Sequence, residues 1–199
     1  FLNLGNVEDT DHKFLGLGLA DALITRLSKV RRFVVRPTRS ILNFSEGVVD
    51  PIKAGRELGV DYILDGNIKK AGSRLRTSVQ LLNVQDNAAV WATSIDETIS
   101  DVLTLEDTLA NKVVEVLLPQ LTGSELAEFS RRGTDVPEAF EHYLRGRYHF
   151  NSFTEEGFAK SFVSFHSAIA ADPAYALAYT GIADYYNWLG VFGIKPFDE

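Results

Sequence analysis

At 199 residues the chain has room for one or two domains. It is 45% hydrophobic and 24% charged, the balance of a fold with a real core, and no apolar run approaches the roughly 18 residues of a membrane span. Zero cysteines exclude disulfides, cysteine-based zinc sites and thiol catalysis, and a net charge of −7 excludes the basic excess that drives nucleic-acid binding.

That charge divides unevenly, with −2 in residues 1–120 and −5 in residues 121–199. The lack of cysteine suits cytoplasm and periplasm alike, and the cytoplasm is the working expectation. The chain opens without Met on Phe1-Leu-Asn-Leu4, which reads as the tail of a strand. It stops at Val191–Glu199 in a loop, so it is expected to be a piece of a longer polypeptide.

Glu8-Asp9-Thr10-Asp11 is a cap-rich acidic lead into a helix expected over His12–Val30. Leu15, Leu19, Leu23 and Leu27 recur every four residues, so this helix buries a broad face. Gly16-Leu-Gly18 fails as a dinucleotide fingerprint, because Asp21 stands where Gly or Ala is needed and no strand runs into it. Arg31–Arg36 reads as a short strand stopped by Pro37. Six basic residues crowd the window Arg26–Arg39; without interleaved exposed aromatics they read as a solvated helix end rather than an anion site. Asn43-Phe-Ser45 is a glycosylation sequon by pattern alone.

Asp50-Pro51 starts a short helix, and Gly59 stops it in the left-handed C′ position. The strand Asp61–Lys70 follows, then a turn at Ala71-Gly72-Ser73 and a return strand. Leu75, Thr77, Val79 and Leu81 lie on one face of that return strand, and Arg76, Ser78 and Gln80 on the other. A turn at Val84–Asn87 leads into a third strand, Ala88–Ile95, with Trp91 as its anchor. Ser100-Asp101 and Thr104–Asp107 offer helix starts, and Val102, Leu105, Leu109, Val113 and Val116 repeat at helical spacing until Pro119. Residues 121–136 read as a partly helical connector.

The run from Glu57 to Asp96, with Glu57, Leu58, Gly59, Val60, Tyr62, Leu64, Gly66, Gly72, Arg76, Leu81 and Trp91 at the matching positions, resembles the TolB amino-terminal-like domain. That domain recurs with CadC-like winged-helix regulators, adenylate cyclases and serine/threonine kinases of bacteria, commonly ahead of tetratricopeptide repeats. The resemblance implies architecture and no catalytic residue set.

The helical end carries a repeat phase. Thr154 caps a helix with Phe158, Phe162, Phe165 and Ile169 as a stripe and Ser161 and Ala168 as its small positions; Pro173 ends it. Counting on, Tyr179, Ile182, Ala183, Tyr186 and Gly190 fall at the places a tetratricopeptide unit needs. The helix before, Glu138 to about Phe150, fits only with a few residues inserted ahead of Thr154. Terminal repeats need a cover, so Trp188–Phe192 and Phe197 are expected to lie under a following helix.

The expected fold is therefore α+β: a small mixed sheet with helices packed on it (residues 1–120), the connector (121–136), and an all-α tetratricopeptide-like segment (137–199). His142 and His149 stand two helical turns apart, about 10 Å of rise, too far to share a metal alone. Asp61 and Asp65 share a strand face about 13 Å apart, which is no glycosidase pair. No nucleophile, base and oxyanion set can be assembled, so no enzyme activity, cofactor or metal is expected.

What remains is binding. Repeat phase places Leu177, Thr180, Asp184, Asn187 and Trp188 on a groove that would take a protein or peptide. The expected function is a regulatory or interaction module that relays to an effector outside the chain, without touching nucleic acid itself. Two alternatives stand beside it: a homodimerisation module built on an edge strand, and a small-molecule sensor with a pocket between the two parts.

Overall fold

The computed structural model describes residues 14–44, 49–98, 102–118 and 122–191. The expected strand tail Phe1–Leu4, the start of the first helix at His12, Ser45 of the sequon, the Ser100-Asp101 helix start, Phe192 and Phe197 all lie outside these. The chain divides into two units, Phe1–Arg131 and Arg132–Glu199.

In the first unit, local signals start and stop the elements. After α1 (Phe14–Leu27) and α2 (Thr38–Ile41) with its 3-10 extension Leu42–Phe44, α3 covers Pro51–Leu58. Asp50 caps α3 by accepting hydrogen bonds from the Ile52 and Lys53 backbone N–H groups, and Gly59 ends it at φ 60°, ψ 51°. A residue with a Cβ pays in steric strain for that left-handed conformation, and Gly does not.

Strands β1 (Tyr62–Ala71), β2 (Arg74–Asn83) and β3 (Ala88–Thr98) then form an antiparallel meander in that order. Gly72 turns the first hairpin at φ 64°. At the second turn the Asn83 side chain accepts from the Gln85 and Asp86 N–H groups, and Asn87 takes φ 52°. Both devices are local, so hairpin and register follow from nearby residues. Between Leu81 and Leu82 the pairing slips: Leu81 faces Trp91, Leu82 faces Ala89, and the extra residue Val90 is left exposed.

The α+β class holds, and among the described residues the three strands pair antiparallel. Arg31–Arg36, expected as a strand, is a turn at Arg31-Arg32 followed by a segment with no regular structure, outside the sheet of described strands. Its last residue explains the placement. The Arg36 guanidinium donates to the carbonyls of Leu58 (2.9 Å) and Gly59 (3.3 Å), so the segment is tied to the end of α3 rather than to a strand.

One sheet face carries Leu64 and Ile68 of β1 and Leu75, Thr77, Val79 and Leu81 of β2, all buried. α4 (Val102–Leu117) packs against β3 and α1, and Leu23 and Leu27 of α1 lie beside Leu64 and Leu81 of this face. At roughly 1.5–3 kcal/mol for each large aliphatic side chain, that layer dominates the stability of the unit. Among the described residues the opposite face is covered at one end, where Ala54 of α3 packs on Ile63 and Val84. The rest of it presents cross-strand polar pairs: Arg76 with Asp96, Ser78 with Ser94, and Gln80 donating to Asp65.

The unit closes with α5 (Gly123–Ser130), a separate helix inside the stretch expected as a connector. Thr122 and Glu125 form a reciprocal capping box at its start. Its Phe129 is 1% exposed, an anchor that helical periodicity alone does not reveal in eight residues.

The described residues of the second unit form three helices: α6 (Pro137–Phe150), α7 (Glu155–Ala171) and α8 (Ala176–Val191). Thr154 caps α7 by accepting from the Gly157 N–H at 3.0 Å. Phe165 of α7 is fully buried; its ring lies against Gly146 of α6 and Gly181 of α8, where a Cβ at either glycine would collide with it. Tyr143 joins this core 6.0 Å from Phe165 and 5.2 Å from Tyr175. Ser161 and Ala168, the small positions, are also fully buried.

Candidate functional site

Three places in the described residues could carry function: an apolar groove and a buried charge cluster in the first unit, and one face of α8 in the second.

The groove encloses about 440 Å³. Its floor is apolar, built from Leu23 and Leu27 of α1, Leu64 and Leu81 of the sheet, and Val113 and Leu117 of α4. One wall is the start of β1, and the other is the segment Phe33–Arg36. Val34 on that segment is 88% exposed.

The charge cluster joins α1, α4 and α5. Arg26 Nη1 donates to Glu106 Oε2 at 2.6 Å and to Asp107 Oδ1. All three side chains are buried, although Arg26 belonged to the basic window expected to be a solvated helix end. Its guanidinium carbon lies 4.8 Å from the centroid of the Phe129 ring, within cation–π range. Nearby, Lys29 Nζ donates to the Arg131 carbonyl at 2.8 Å, close to the α5 C-terminus where a cation meets the helix dipole favourably. Burial lowers the Lys29 pKa, helped by repulsion from Arg26. Burial pushes the Glu106 carboxyl upward, and the attraction of Arg26 opposes it. The cluster is a structural clamp on α5 and offers no nucleophile to a substrate.

On α8 the expected groove residues take varied places. Leu177 and Trp188 are half-buried, while Thr180, Asp184 and Asn187 are exposed. Trp188 packs edge-on to Phe153 at 5.4 Å, and Asp184 pairs with Arg147 of α6 at 3.2 Å. The Thr180 hydroxyl turns back to the Leu177 carbonyl at 2.7 Å. Tyr179 and Tyr186, two helical turns apart on α8, stand about half exposed. The structure thus pairs Asp184 with α6, while the Tyr179 hydroxyl donates to the Pro173 carbonyl and Tyr186 packs edge-on to Phe162 of α7 at 6.0 Å.

Other candidates find ordinary roles. Gly16 and Gly18 are buried within α1. His142 sits 3.9 Å from Glu138 one helical turn away, and His166 packs on Phe162 at 4.4 Å. Burial holds the His149 pKa below its usual value. Among the described residues no group of three or more His, Cys, Asp or Glu could hold a metal, and no helix is long and apolar enough to cross a membrane.

Comparison with known proteins bears on this arrangement. A putative adenylate cyclase 3 of Rhizobium meliloti (strain 1021) is 27% identical over 175 residues, covering 88% of this chain and 30% of that protein. The chain therefore spans less than a third of that curated relative. Among solved structures, TolB from Acinetobacter baumannii aligns over 60% of this chain and 27% of its own, at a TM-score of 0.44 and 16% identity. A PelC L103M dodecamer from Paraburkholderia phytofirmans aligns over 58% of this chain and 84% of its own, at 0.36 and 16%. Residues 7–112, more than half of the chain and nearly all of its sheet layer, match the HilA/YgeH-like transcriptional regulator, second domain; the chain belongs to that family.

Proposed function

We propose that the chain is a non-enzymatic regulatory and protein-interaction module of a bacterial signalling or transcription-regulator protein. It binds a protein or peptide partner and relays the event to an effector domain outside residues 1–199. The observation that carries this reading is the match of residues 7–112 to a regulator's second domain. The three helices of the second unit support it, with their tetratricopeptide-like phase and an α8 face built of Leu177, Thr180, Asp184, Asn187 and Trp188. That face offers an indole edge, a carboxylate and two neutral polar groups, a combination suited to peptide recognition.

The test is made in the intact regulator. Asn187→Ala and Trp188→Ala together should abolish the signal-dependent change in transcriptional output and leave basal output intact. Far-UV circular dichroism of the variant should match the parent. A response equal to that of the parent chain would end this reading.

A further inference from the structure

α5 is attached to its unit at few points. Of its eight residues only Phe129 is buried, and Leu126, its other apolar residue of size, is 51% exposed. The Phe129 ring meets the Arg26 guanidinium of α1 at 4.8 Å. Just past the helix end, the Arg131 carbonyl accepts from the Lys29 ammonium at 2.8 Å. The next residues already belong to the other unit. Gly133 lies on the buried Tyr175 ring, where a Cβ would come within 2.7 Å of Cε2. The Thr134 hydroxyl, also buried, donates to Asp172 at 2.5 Å. Between the tie at Arg131 and the anchor at Gly133 stands one residue, Arg132.

We propose that α5 is a latch: it undocks from its place beside α1 as one piece while the sheet stays folded, and the second unit controls when it does so. This rests on the partner-binding reading of that unit and names the path by which a binding event leaves it. Segments joined to a core by few buried contacts open separately from it. Among the described residues α5 is joined by one ring, one cation–π contact and one hydrogen bond to a carbonyl. α1 and α4, by contrast, bury Leu15, Leu19, Leu23, Leu105 and Leu109. Undocking also strands no ion. Arg26 keeps Glu106 and Asp107 when Phe129 leaves, so the buried charges stay paired within α1 and α4. A joint of one residue has few soft torsions with which to absorb a movement. Movement of the second unit beyond that slack pulls on α5.

Native-state hydrogen exchange of the full chain tests the undocking. Amides of residues 126–130 should exchange together, at least about tenfold faster than those of residues 79–82 in β2 and with a smaller denaturant dependence. Lys29→Met removes the tie and keeps the apolar stem; it should speed α5 exchange roughly tenfold and leave β2 unchanged. Exchange of α5 in step with β2 overturns the proposal, and so does α5 exchange that Lys29→Met does not alter. Control by the second unit is tested in the intact regulator, by inserting about six Gly and Ser residues between Arg131 and Arg132 to make the joint slack. The insertion should abolish the signal-dependent response and leave β2 exchange at the parent rate. A parent-like response overturns the latch. If Asn187→Ala with Trp188→Ala silences the response and the insertion does not, the latch alone fails and the partner-binding reading stands. If β2 exchange shows that the insertion misfolds, the exchange of the parent chain and of Lys29→Met decides.

Discussion

The guanidinium carbon of Arg26 stands 4.8 Å from the ring centroid of Phe129, joining two residues 103 positions apart in the chain. Glu106 and Asp107 both accept from Nη1 of the same guanidinium. This contact fixes α5, the last helix of its unit, to the α1–α4 layer. Arg26→Met removes the cation and leaves Glu106 buried without it, which should cost about 3–5 kcal/mol. Phe129→Ala should cost a similar amount, about 3–5 kcal/mol, through the cavity it opens. Urea titration followed by Trp91 fluorescence would check both, because Trp91 reports the first unit and Trp188 the second.

Glu106 also sets a pH dependence. Burial raises its folded pKa above the ordinary glutamate value of 4.5, against the opposing pull of Arg26. Between the unfolded and folded values the folded state binds more protons than the unfolded state. Stability from this group is therefore full below about 4.5 and declines as pH rises through the raised folded pKa. Glu106→Gln should remove that slope, measured as the urea midpoint from pH 4 upward. An unchanged slope in the variant would assign the effect elsewhere.

Gly146 and Gly181 give Phe165 its place in the second unit. A Cβ on Gly181 would come within 2.8 Å of three ring atoms, and one on Gly146 would crowd the same edge. Gly146→Ala and Gly181→Ala should each destabilise the second unit by about 1–3 kcal/mol. Adding Phe165→Leu to either should recover part of the loss. Thermal unfolding followed at Trp188 is the measurement.

Gly59→Ala tests a backbone effect in isolation. A Cβ there would meet only Arg36 Nη2, at an ordinary 3.5 Å, so space does not forbid it. The left-handed φ of 60° does, at a cost of about 1 kcal/mol or somewhat more. Gly59→Asn, which tolerates that region better, should lose less in the same urea titration.

Much of the architecture could be read from short stretches. The Asp50-Pro51 start, the Gly59 stop, the Gly72 turn and the burial alternation of Leu75, Thr77, Val79 and Leu81 all involve groups a few residues apart. The capping box Thr122-x-x-Glu125 was equally readable and would have separated α5 from the helix before it. Arg31–Arg36 misled for a physical reason. Its alternation and β-branched valines suit an extended chain, but a strand also needs a neighbour at ladder distance, and that neighbour is a matter of tertiary placement.

The sequence by itself determined the α+β class, the hairpins and their faces, the helix ends and the lack of cysteine chemistry. Each depends on backbone preference or on side chains within one turn or one hairpin. Only the tertiary structure decided that Arg26 is buried rather than solvated, that Phe129 anchors α5, and that an apolar groove opens beside β1. Those outcomes depend on which distant groups share a dry interior. Burying the Arg26 charge is tolerable only because Glu106 and Asp107, 80 and 81 residues away, arrive beside it.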